Sequence, residues 1–349
     1  MTSPLSQVFN FHQLELKLDQ QKDPLQRLIL IDKLSSFYAY TNLKRAQQLL
    51  HEKWQILQSH HHPDFLLNYH VNTAIIENQR YNFSLAERHF HKAIEIIEDR
   101  GDVKQQVEIY VDYAGTCMNL VKMEEATQFL SKSARMLKNF PDERLRARII
   151  CREGFLQLHY SNYSKAIEML LEADKMINTL NQTLDLKDYY FLTLVHSGLG
   201  KVYEQNNDRE KSVKAYLKVV GMCETIGMRT RLSWHYLNVG TAFLGLGDQE
   251  GAEPYFRKAI DITDDISQLA RASAYANLGY CYFEKKKYNE ALELFDRAEL
   301  LYKEKSEEDY YNFSVIESWR GRLYAEIGKR KSHGTLRSGF RIRRPDRRL

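Results

Sequence analysis

The sequence is poor in the residues that interrupt helices, with only 6 proline and 16 glycine residues among 349. It also has no C-x-x-C pair, because its four cysteines, Cys117, Cys151, Cys223 and Cys281, are scattered along the chain. This spacing argues against a disulfide framework or a zinc site, and it fits small buried side chains in a reducing compartment. With a hydrophobic fraction of 43%, the composition is typical of a well-packed helical protein rather than a disordered one.

Signals for export, membrane insertion and catalysis are missing as well. The N-terminus has no basic start followed by an apolar run, and no segment supplies the ~18 apolar residues of a membrane span. H-E-x-x-H, G-x-S-x-G and phosphate-binding glycine loops are absent. The contiguous His60, His61 and His62 precede Pro63, where a solvated loop is a simpler interpretation than a metal site. We therefore expect a cytoplasmic, non-enzymatic protein without a cofactor or metal.

What the sequence does contain is a repeat. Between residues 233 and 300, two segments of similar sequence are related by an offset of 39. The matched pairs are Val239 and Leu278, Gly240 and Gly279, Phe243 and Tyr282, Ala252 and Ala291, Phe256 and Phe295, and Ala259 and Ala298. Small residues at Gly240 and Ala252 would let two antiparallel helices approach closely, with Phe243, Phe256 and Ala259 at contacts with the next pair.

This order of large and small residues resembles the tetratricopeptide repeat, and the resemblance implies an α-solenoid that binds partners and carries no catalytic residues. The interval between repeats is near 40 residues instead of the usual 34, which is similar to the long repeats of bacterial signalling proteins. Equivalents of the repeat glycine fall at Leu34, Ala74, Ala114, Gly154, Gly200, Gly240, Gly279 and Gly321. We therefore predict an all-α, right-handed α-solenoid of about seven to eight helix-turn-helix repeats.

The regularity of the pattern also predicts the organisation of the chain. Residues 1–26 are expected to form an N-terminal cap, residues 27–328 the repeat array, and residues 329–349 a disordered tail with nine Lys or Arg and one acidic residue. The interval between Gly154 and Gly200 is longer than the other intervals between repeats. Residues 178–188 are expected to contain the additional residues, as either a longer loop or a longer helix. The eighth repeat has no recognisable second helix before the tail begins.

The concave groove of such an array is the predicted binding site, because the first helix of each repeat lines it. Many of the residues expected to face inward on these helices carry side-chain amides or positive charges. Amides can donate to and accept from a peptide backbone, and cations can pair with carboxylates. The candidate partner-binding residues are Asn72, Asn78, Arg148, Arg152, Lys201, Trp234, Asn238, Asn277, Tyr280 and Arg322. An equally weighted alternative is that Asn238 and Asn277 are asparagines that this repeat uses for packing.

Three functions are compatible with these observations. The first is a protein- or peptide-binding scaffold or sensory adaptor that captures a partner segment in the groove. The second is a peptide-gated regulator similar to quorum-sensing receptors, although residues 1–26 are too short for the effector domain that such receptors carry ahead of their repeats. The third is binding of nucleic acid or an acidic surface through the basic tail. The expected partner is a protein or peptide, and the sequence does not indicate the oligomeric state.

Overall fold

The computed structural model describes residues 4–60, 62–100, 102–180, 184–264, 266–305 and 310–332, and these residues form sixteen α-helices and no strand. The helices are α1 (Pro4–Gln20), α2 (Pro24–Thr41), α3 (Leu43–Ser59), α4 (Pro63–Gln79), α5 (Phe83–Glu98), α6 (Val103–Asn119), α7 (Met123–Met136), α8 (Glu143–His159), α9 (Tyr163–Thr179), α10 (Leu186–Gln205), α11 (Arg209–Ile226), α12 (Leu232–Gly245), α13 (Gln249–Asp261), α14 (Gln268–Glu284), α15 (Tyr288–Lys305) and α16 (Tyr310–Ser332). The prediction of an all-α chain of helical repeats is therefore confirmed.

The helices follow the predicted repeats. After α1, seven helical hairpins succeed one another from α2 and α3 to α14 and α15, and α16 is the first helix of an eighth. Every residue predicted as an equivalent of the repeat glycine lies in the first helix of its hairpin. Successive hairpins are joined by short connections, many of which end in an aspartate that caps the next helix. Asp102, for example, accepts a hydrogen bond from the backbone N–H of Gln105 at 3.0 Å.

The structure adjusts several predicted boundaries. The fourth hairpin begins at Glu143, two residues after Pro141, because Asp142 is the N-cap of α8 and accepts from the backbone N–H of Leu145 at 3.0 Å. Part of the longer interval between repeats is taken up by α10, which has 20 residues and begins within the predicted segment of residues 178–188. At the other end α16 continues to Ser332, into the predicted tail, and residues 333–349 lie outside the described residues.

Close packing within a hairpin depends on the repeat glycines. We expected Phe256 at a contact with the next hairpin, but its ring lies across its own hairpin against Gly240, where an added Cβ would come within 2.5 Å of ring carbon Cε1. Gly279 and Phe295 repeat this arrangement, with a Cβ-to-ring distance of 2.6 Å. The glycine and the aromatic residue of the sequence motif are therefore two halves of one contact between the helices of a hairpin.

The chain divides into two compact units, Met1–Leu232 and Ser233–Leu349, here called unit 1 and unit 2. The division falls within the predicted array of residues 27–328, at the start of α12. Unit 1 contains α1 to α11, and its α1 and the start of α2 occupy the predicted cap of residues 1–26. None of the described helices has the length and apolar character needed to cross a membrane.

Unit 1 closes on itself, so that its first and fifth hairpins are in contact. Ala39 and Tyr40 of α2 share a buried apolar cluster with Val219 and Cys223 of α11, and α2 also contacts α10. The loop after α11 reinforces this contact, because the backbone N–H of Thr230 donates to the carbonyl oxygen of Tyr40 at 3.3 Å.

Arg231 extends the closure to the second hairpin. Its Nη2 donates to the carbonyl oxygen of Asn78 at 2.6 Å, near the C-terminal end of α4. Its guanidinium carbon also lies 4.5 Å from the centre of the Tyr81 ring. The residues before α12 thus fasten the end of unit 1 to its beginning.

Candidate functional site

The closure of unit 1 leaves an open cavity of about 670 Å³ on the inner faces of its first helices. Three helices contribute residues at the spacing i, i+3, i+4 and i+7, which places four side chains on one face of an α-helix. These residues are Lys33, Ser36, Phe37 and Tyr40 of α2, Asn68, Val71, Asn72 and Ile75 of α4, and Gln105, Glu108, Ile109 and Asp112 of α6. Phe11 of α1, Ala39 of α2 and residues 184–187 at the start of α10 complete the wall.

Asparagine and glutamine side chains join neighbouring helices along this wall. Asn72 is buried, donates from Nδ2 to the hydroxyl of Ser35 at 3.2 Å, and accepts from the hydroxyl of Ser36 at 3.4 Å. One turn earlier, Nε2 of Gln105 donates to Oδ1 of Asn68 at 3.3 Å. Because a side-chain amide has two N–H groups and two acceptor lone pairs, these residues can hold the helices together and still offer hydrogen bonds to a ligand.

A buried ion pair supports the α2 side of the cavity. Asn68 donates to Oδ2 of Asp32 at 3.3 Å, and the other carboxylate oxygen of Asp32 pairs with Lys53, whose side chain is fully buried. Burial raises the pKa of Asp32 and lowers the pKa of Lys53, although their mutual attraction opposes both shifts. The pair carries no net charge, so it fixes the geometry of this wall without contributing to its charge.

The opposite side of the cavity is fixed by ion pairs between distant helices. Nζ of Lys187, in the first turn of α10, lies 2.6 Å from Oδ2 of Asp112 on α6. Nη2 of Arg148 on α8 lies 2.7 Å from Oδ1 of Asp188 and 3.3 Å from Asp185, which is the N-cap of α10. These contacts hold the start of α10 at the edge of the cavity.

Aromatic rings contribute to the apolar surface of the cavity. The rings of Phe11 and Phe37 stack with their centres 3.8 Å apart, which joins α1 to α2. The ring of Tyr40 lies 5.0 Å from that of Tyr190 on α10. Burial holds the pKa of Tyr40 well above its usual value, so its hydroxyl remains a neutral hydrogen-bonding group. The cavity therefore combines ring surfaces with amides and charges.

The predicted binding residues of unit 1 fall in different places. Asn72 lines the cavity, whereas Asn78 lies further along α4 and donates to the hydroxyl of Thr116 at 2.6 Å. Arg148 was expected to be exposed in the groove, but it is only 2% exposed because it is buried in its ion pair with Asp188. Arg152 is half-buried over the Phe191 ring, at 5.1 Å, and Lys201 is exposed on α10.

The other five predicted residues lie in unit 2. Trp234 and Asn238 are half-buried on α12, as is Asn277 on α14. The ring of Tyr280, also on α14, lies 5.4 Å from that of Trp319 on α16, and Arg322 is exposed one turn beyond Trp319. Of the ten predicted residues, only Asn72 lines the cavity of unit 1.

Several cavity residues were not among the predicted binding residues. The projection placed the groove near the repeat glycine, whereas on α4 and α6 the cavity face extends one to two turns towards the start of the helix, to Asn68 and Gln105. A signal for this face was present in the sequence, because Gln105, Glu108 and Asp112 repeat a polar residue at helical spacing. The contribution of Lys187 depends on the closure of unit 1 and had no such signal.

The histidines do not assemble into a metal site in the part of the chain that the structure describes. No group of three or more His, Cys, Asp or Glu side chains there is arranged to hold a metal ion. His70 and His89 pair with each other through Nδ1 atoms 2.9 Å apart. His60 and His62 flank the connection between α3 and α4, and His61 lies outside the described residues.

Family models identify the repeats in the second half of the chain. Residues 195–225, 236–265 and 271–309 match models described as tetratricopeptide repeat. These segments correspond to the hairpins of α10 and α11, α12 and α13, and α14 and α15. No curated protein sequence matches the chain.

Solved structures with the same fold include signalling proteins. One is a signal transduction ATPase with numerous domains and a tetratricopeptide repeat sensor, from Pyrococcus horikoshii, which is 18% identical to this chain with a TM-score of 0.60. The match covers 94% of this chain and 52% of the ATPase, so the present chain spans about half the length of the ATPase. A Rap protein complexed with competence and sporulation factor is 16% identical over 83% and 80% of the two chains, with a TM-score of 0.56. NprR in complex with its cognate peptide NprX is 14% identical over 96% and 89%, with a TM-score of 0.55.

Proposed function

We propose that this tetratricopeptide repeat protein is a non-enzymatic adaptor or sensor that binds a short peptide segment in the cavity of unit 1. The observation that carries the proposal is the cavity itself, where amides and aromatic rings from three successive first helices face a common space. Its volume of about 670 Å³ falls in the range of roughly 300–1,000 Å³ that is usual for small-ligand pockets. That space suits a few residues of an extended chain and is too small for a folded domain.

The chemistry of the walls supports a peptide in particular. A peptide backbone presents alternating donors and acceptors, and Asn68, Asn72 and Gln105 can complement both kinds of group. Rings such as Phe37 and Tyr40 can pack against peptide side chains, and aromatic anchors of this kind commonly dominate the binding free energy. NprR, which shares the fold, has been solved with its cognate peptide, and this supports a peptide ligand over other small molecules.

The proposal is tested by filling the cavity from an exposed position. The full chain is incubated with a synthetic pool of random tetrapeptides and octapeptides, and the retained peptides are identified by mass spectrometry after gel filtration. Ser36 is exposed on α2 and faces the cavity, so Ser36→Phe should occupy the space at the loss of one long hydrogen bond, 3.4 Å, to Asn72. We expect retention of peptides to fall at least about tenfold, since a ring there excludes the ligand.

Ser131→Phe is the matched control, because Ser131 is exposed in the middle of α7, which contributes nothing to the cavity. Both variants should melt near the temperature of the parent protein. Retention of no peptide by the parent protein, or equal retention by the Ser36→Phe and Ser131→Phe variants, would contradict the proposal.

A further inference from the structure

Two charged residues of the cavity wall have no partner among the described residues of unit 1. Lys33 on α2 is exposed and Glu108 on α6 is half-buried, and both side chains line the cavity. Neither makes a hydrogen bond or an ion pair within the described part of the chain. This distinguishes them from Asp112 and Lys187, which line the same cavity and neutralise each other at 2.6 Å.

The charges around these residues make the cavity electrostatically polar. On the α6 and α10 side, Arg144 and Arg148 face three carboxylates, those of Asp185, Asp188 and Glu108. The ion pairs of the two arginines are with the two aspartates, so the carboxylate of Glu108 is left without an ion pair among the described residues. A ligand that carries a positive group towards Glu108 would supply that ion pair.

On the α2 side the group without an ion pair is positive. Asp32 and Lys53 neutralise each other behind the wall, and Lys33 adds one positive charge at the surface of the cavity. A cavity with a cation on one wall and an anion on another complements a ligand with two opposite charges at its ends. Unpaired charges in a partly enclosed space also attract ligand charges more strongly than fully solvated ones do.

We propose that the ligand is a short peptide with both ends free, whose α-carboxylate pairs with Lys33 and whose α-ammonium group pairs with Glu108. This assignment rests on the proposed peptide-binding function and adds the chemistry of the ligand's ends. It places the peptide across α4, so that the amides of Asn68 and Asn72 lie beside its backbone.

The expected length follows from the helix spacing. Packed helices lie about 8–10 Å apart, so α2 and α6, which are separated by α4, are roughly 16–20 Å apart. The Lys33 and Glu108 side chains reach inward and shorten that gap. Since an extended chain covers about 3.3–3.6 Å per residue, a peptide of roughly three to five residues spans it.

The test compares one random tetrapeptide pool in three chemical forms: unmodified, N-acetylated, and C-amidated. Each form is incubated with the full chain, and the retained peptides are quantified by mass spectrometry. We expect N-acetylation and C-amidation each to reduce retention about tenfold, since each removes one charge-assisted contact in a partly solvated site.

Charge-removing variants assign each end of the peptide to a residue. In Glu108→Gln, N-acetylation should no longer matter while C-amidation still does. In Lys33→Gln, C-amidation should no longer matter while N-acetylation still does. Lys44→Gln and Glu95→Gln are matched controls at exposed positions of α3 and α5, outside the cavity, and should respond to both modifications as the parent protein does.

The outcomes separate this inference from the function on which it rests. If the parent protein retains all three forms equally, or if the two variants do not lose their respective preferences, the end-recognition proposal is wrong while peptide binding in the cavity stands. If no form is retained at all, both proposals are wrong.

Discussion

At the scale of single residues, burial separates side chains that hold unit 1 together from those that remain available to a ligand. Arg148 and Asp188 are both buried and pair with each other. Removing one would break a buried ion pair and leave the other with a single partner, Asp185 for Arg148 or Arg144 for Asp188, which is destabilising. Lys33 is exposed, Glu108 is half-buried, and neither forms an ion pair within the described residues. The sequence shows all four as charged residues on helices, and only their surroundings distinguish the two roles.

The histidine pair between α4 and α5 makes stability depend on pH. Because Nδ1 of His70 and Nδ1 of His89 are 2.9 Å apart, one ring must accept a hydrogen bond from the other, which a doubly protonated pair cannot do. Burial lowers the pKa of His70 to about 4, and burial also lowers the pKa of His89. The charges that act on the pair are those of Lys53, Lys92 and Arg88, which lower these pKa values, and of Glu77, which raises that of His89.

The direction in which the stability changes with pH follows from proton uptake by the two histidines. An unfolded chain binds protons at these histidines from an ordinary pKa of 6.5, whereas the folded chain does so only at lower pH. The stabilisation is therefore fully present above about pH 6.5 and is lost as the pH falls towards about 4. Urea unfolding across this range should show a steeper fall in the free energy of unfolding for the parent protein than for His70→Gln/His89→Gln.

His51→Gln serves as the control, because His51 is exposed on α3 and bonds only to Gln55, one turn away. It should keep the slope of the parent protein. Identical slopes for the parent and the double variant would show that the pair does not contribute.

At the scale of helices, the three hairpins from α10 to α15 are each closed by an aromatic residue that packs against the repeat glycine, as Tyr216 packs against Gly200. The second helix of the hairpin provides the aromatic ring, and the first helix provides the glycine whose missing side chain leaves room for it, as in Phe256 with Gly240 and Phe295 with Gly279. This explains why the sequence motif pairs the two residue types at a constant separation. The eighth repeat keeps its glycine, Gly321, but no described atom lies within 4 Å of the position of its Cβ, apart from its chain neighbours and the backbone of its own helix.

This difference predicts opposite effects of the same substitution. Gly240→Ala should destabilise unit 2 by about 1–3 kcal/mol, because the new methyl group collides with the Phe256 ring. Gly321→Ala should stabilise α16 by about 0.5–1 kcal/mol, because alanine restricts the unfolded chain more than glycine and meets no obstacle. Thermal unfolding followed by circular dichroism measures both.

A Gly240→Ala variant as stable as the parent would contradict the proposed closing contact. A destabilised Gly321→Ala variant would contradict the expectation that the added methyl group meets no obstacle at Gly321.

At the scale of the whole molecule, the closure of unit 1 is what creates the cavity. The contact between Thr230 and Ala39 joins residues 191 positions apart, and Arg231 extends it to Asn78 and Tyr81. Without this closure the inner faces of α2, α4 and α6 would form an open groove, and the start of α10 would not reach its edge.

Removing the arginine should loosen unit 1. Arg231→Ala loses a charge-assisted hydrogen bond and a cation–π contact, so we expect a loss of about 2 kcal/mol. Faster amide hydrogen exchange should appear at the C-terminal ends of α2 and α4. Arg229→Ala is the control, since Arg229 is exposed two residues earlier. If the Arg231→Ala and Arg229→Ala variants exchange alike, Arg231 does not hold the closure.

Much of the fold could be read from the sequence because its signals are local. The helical repeats follow from small and large residues that recur at constant spacing, and Gly240, Phe256 and their equivalents meet within a single hairpin. The position of Asn72 on the inner face could be predicted for the same reason, since it depends only on the orientation of one helix within its repeat.

The candidate site could not be predicted as a whole, because it depends on how small rotations between successive hairpins accumulate. That accumulated curvature brings α10 and α11 to α2, while contacts between hairpins bury Arg148 against Asp188 and set Lys187 beside Asp112. By itself the sequence determined the helices, their pairing and the recurring small and aromatic positions of the motif. Only the tertiary structure decided which inner faces share a cavity and which of their charges remain unpaired, because both depend on contacts between residues far apart in the chain.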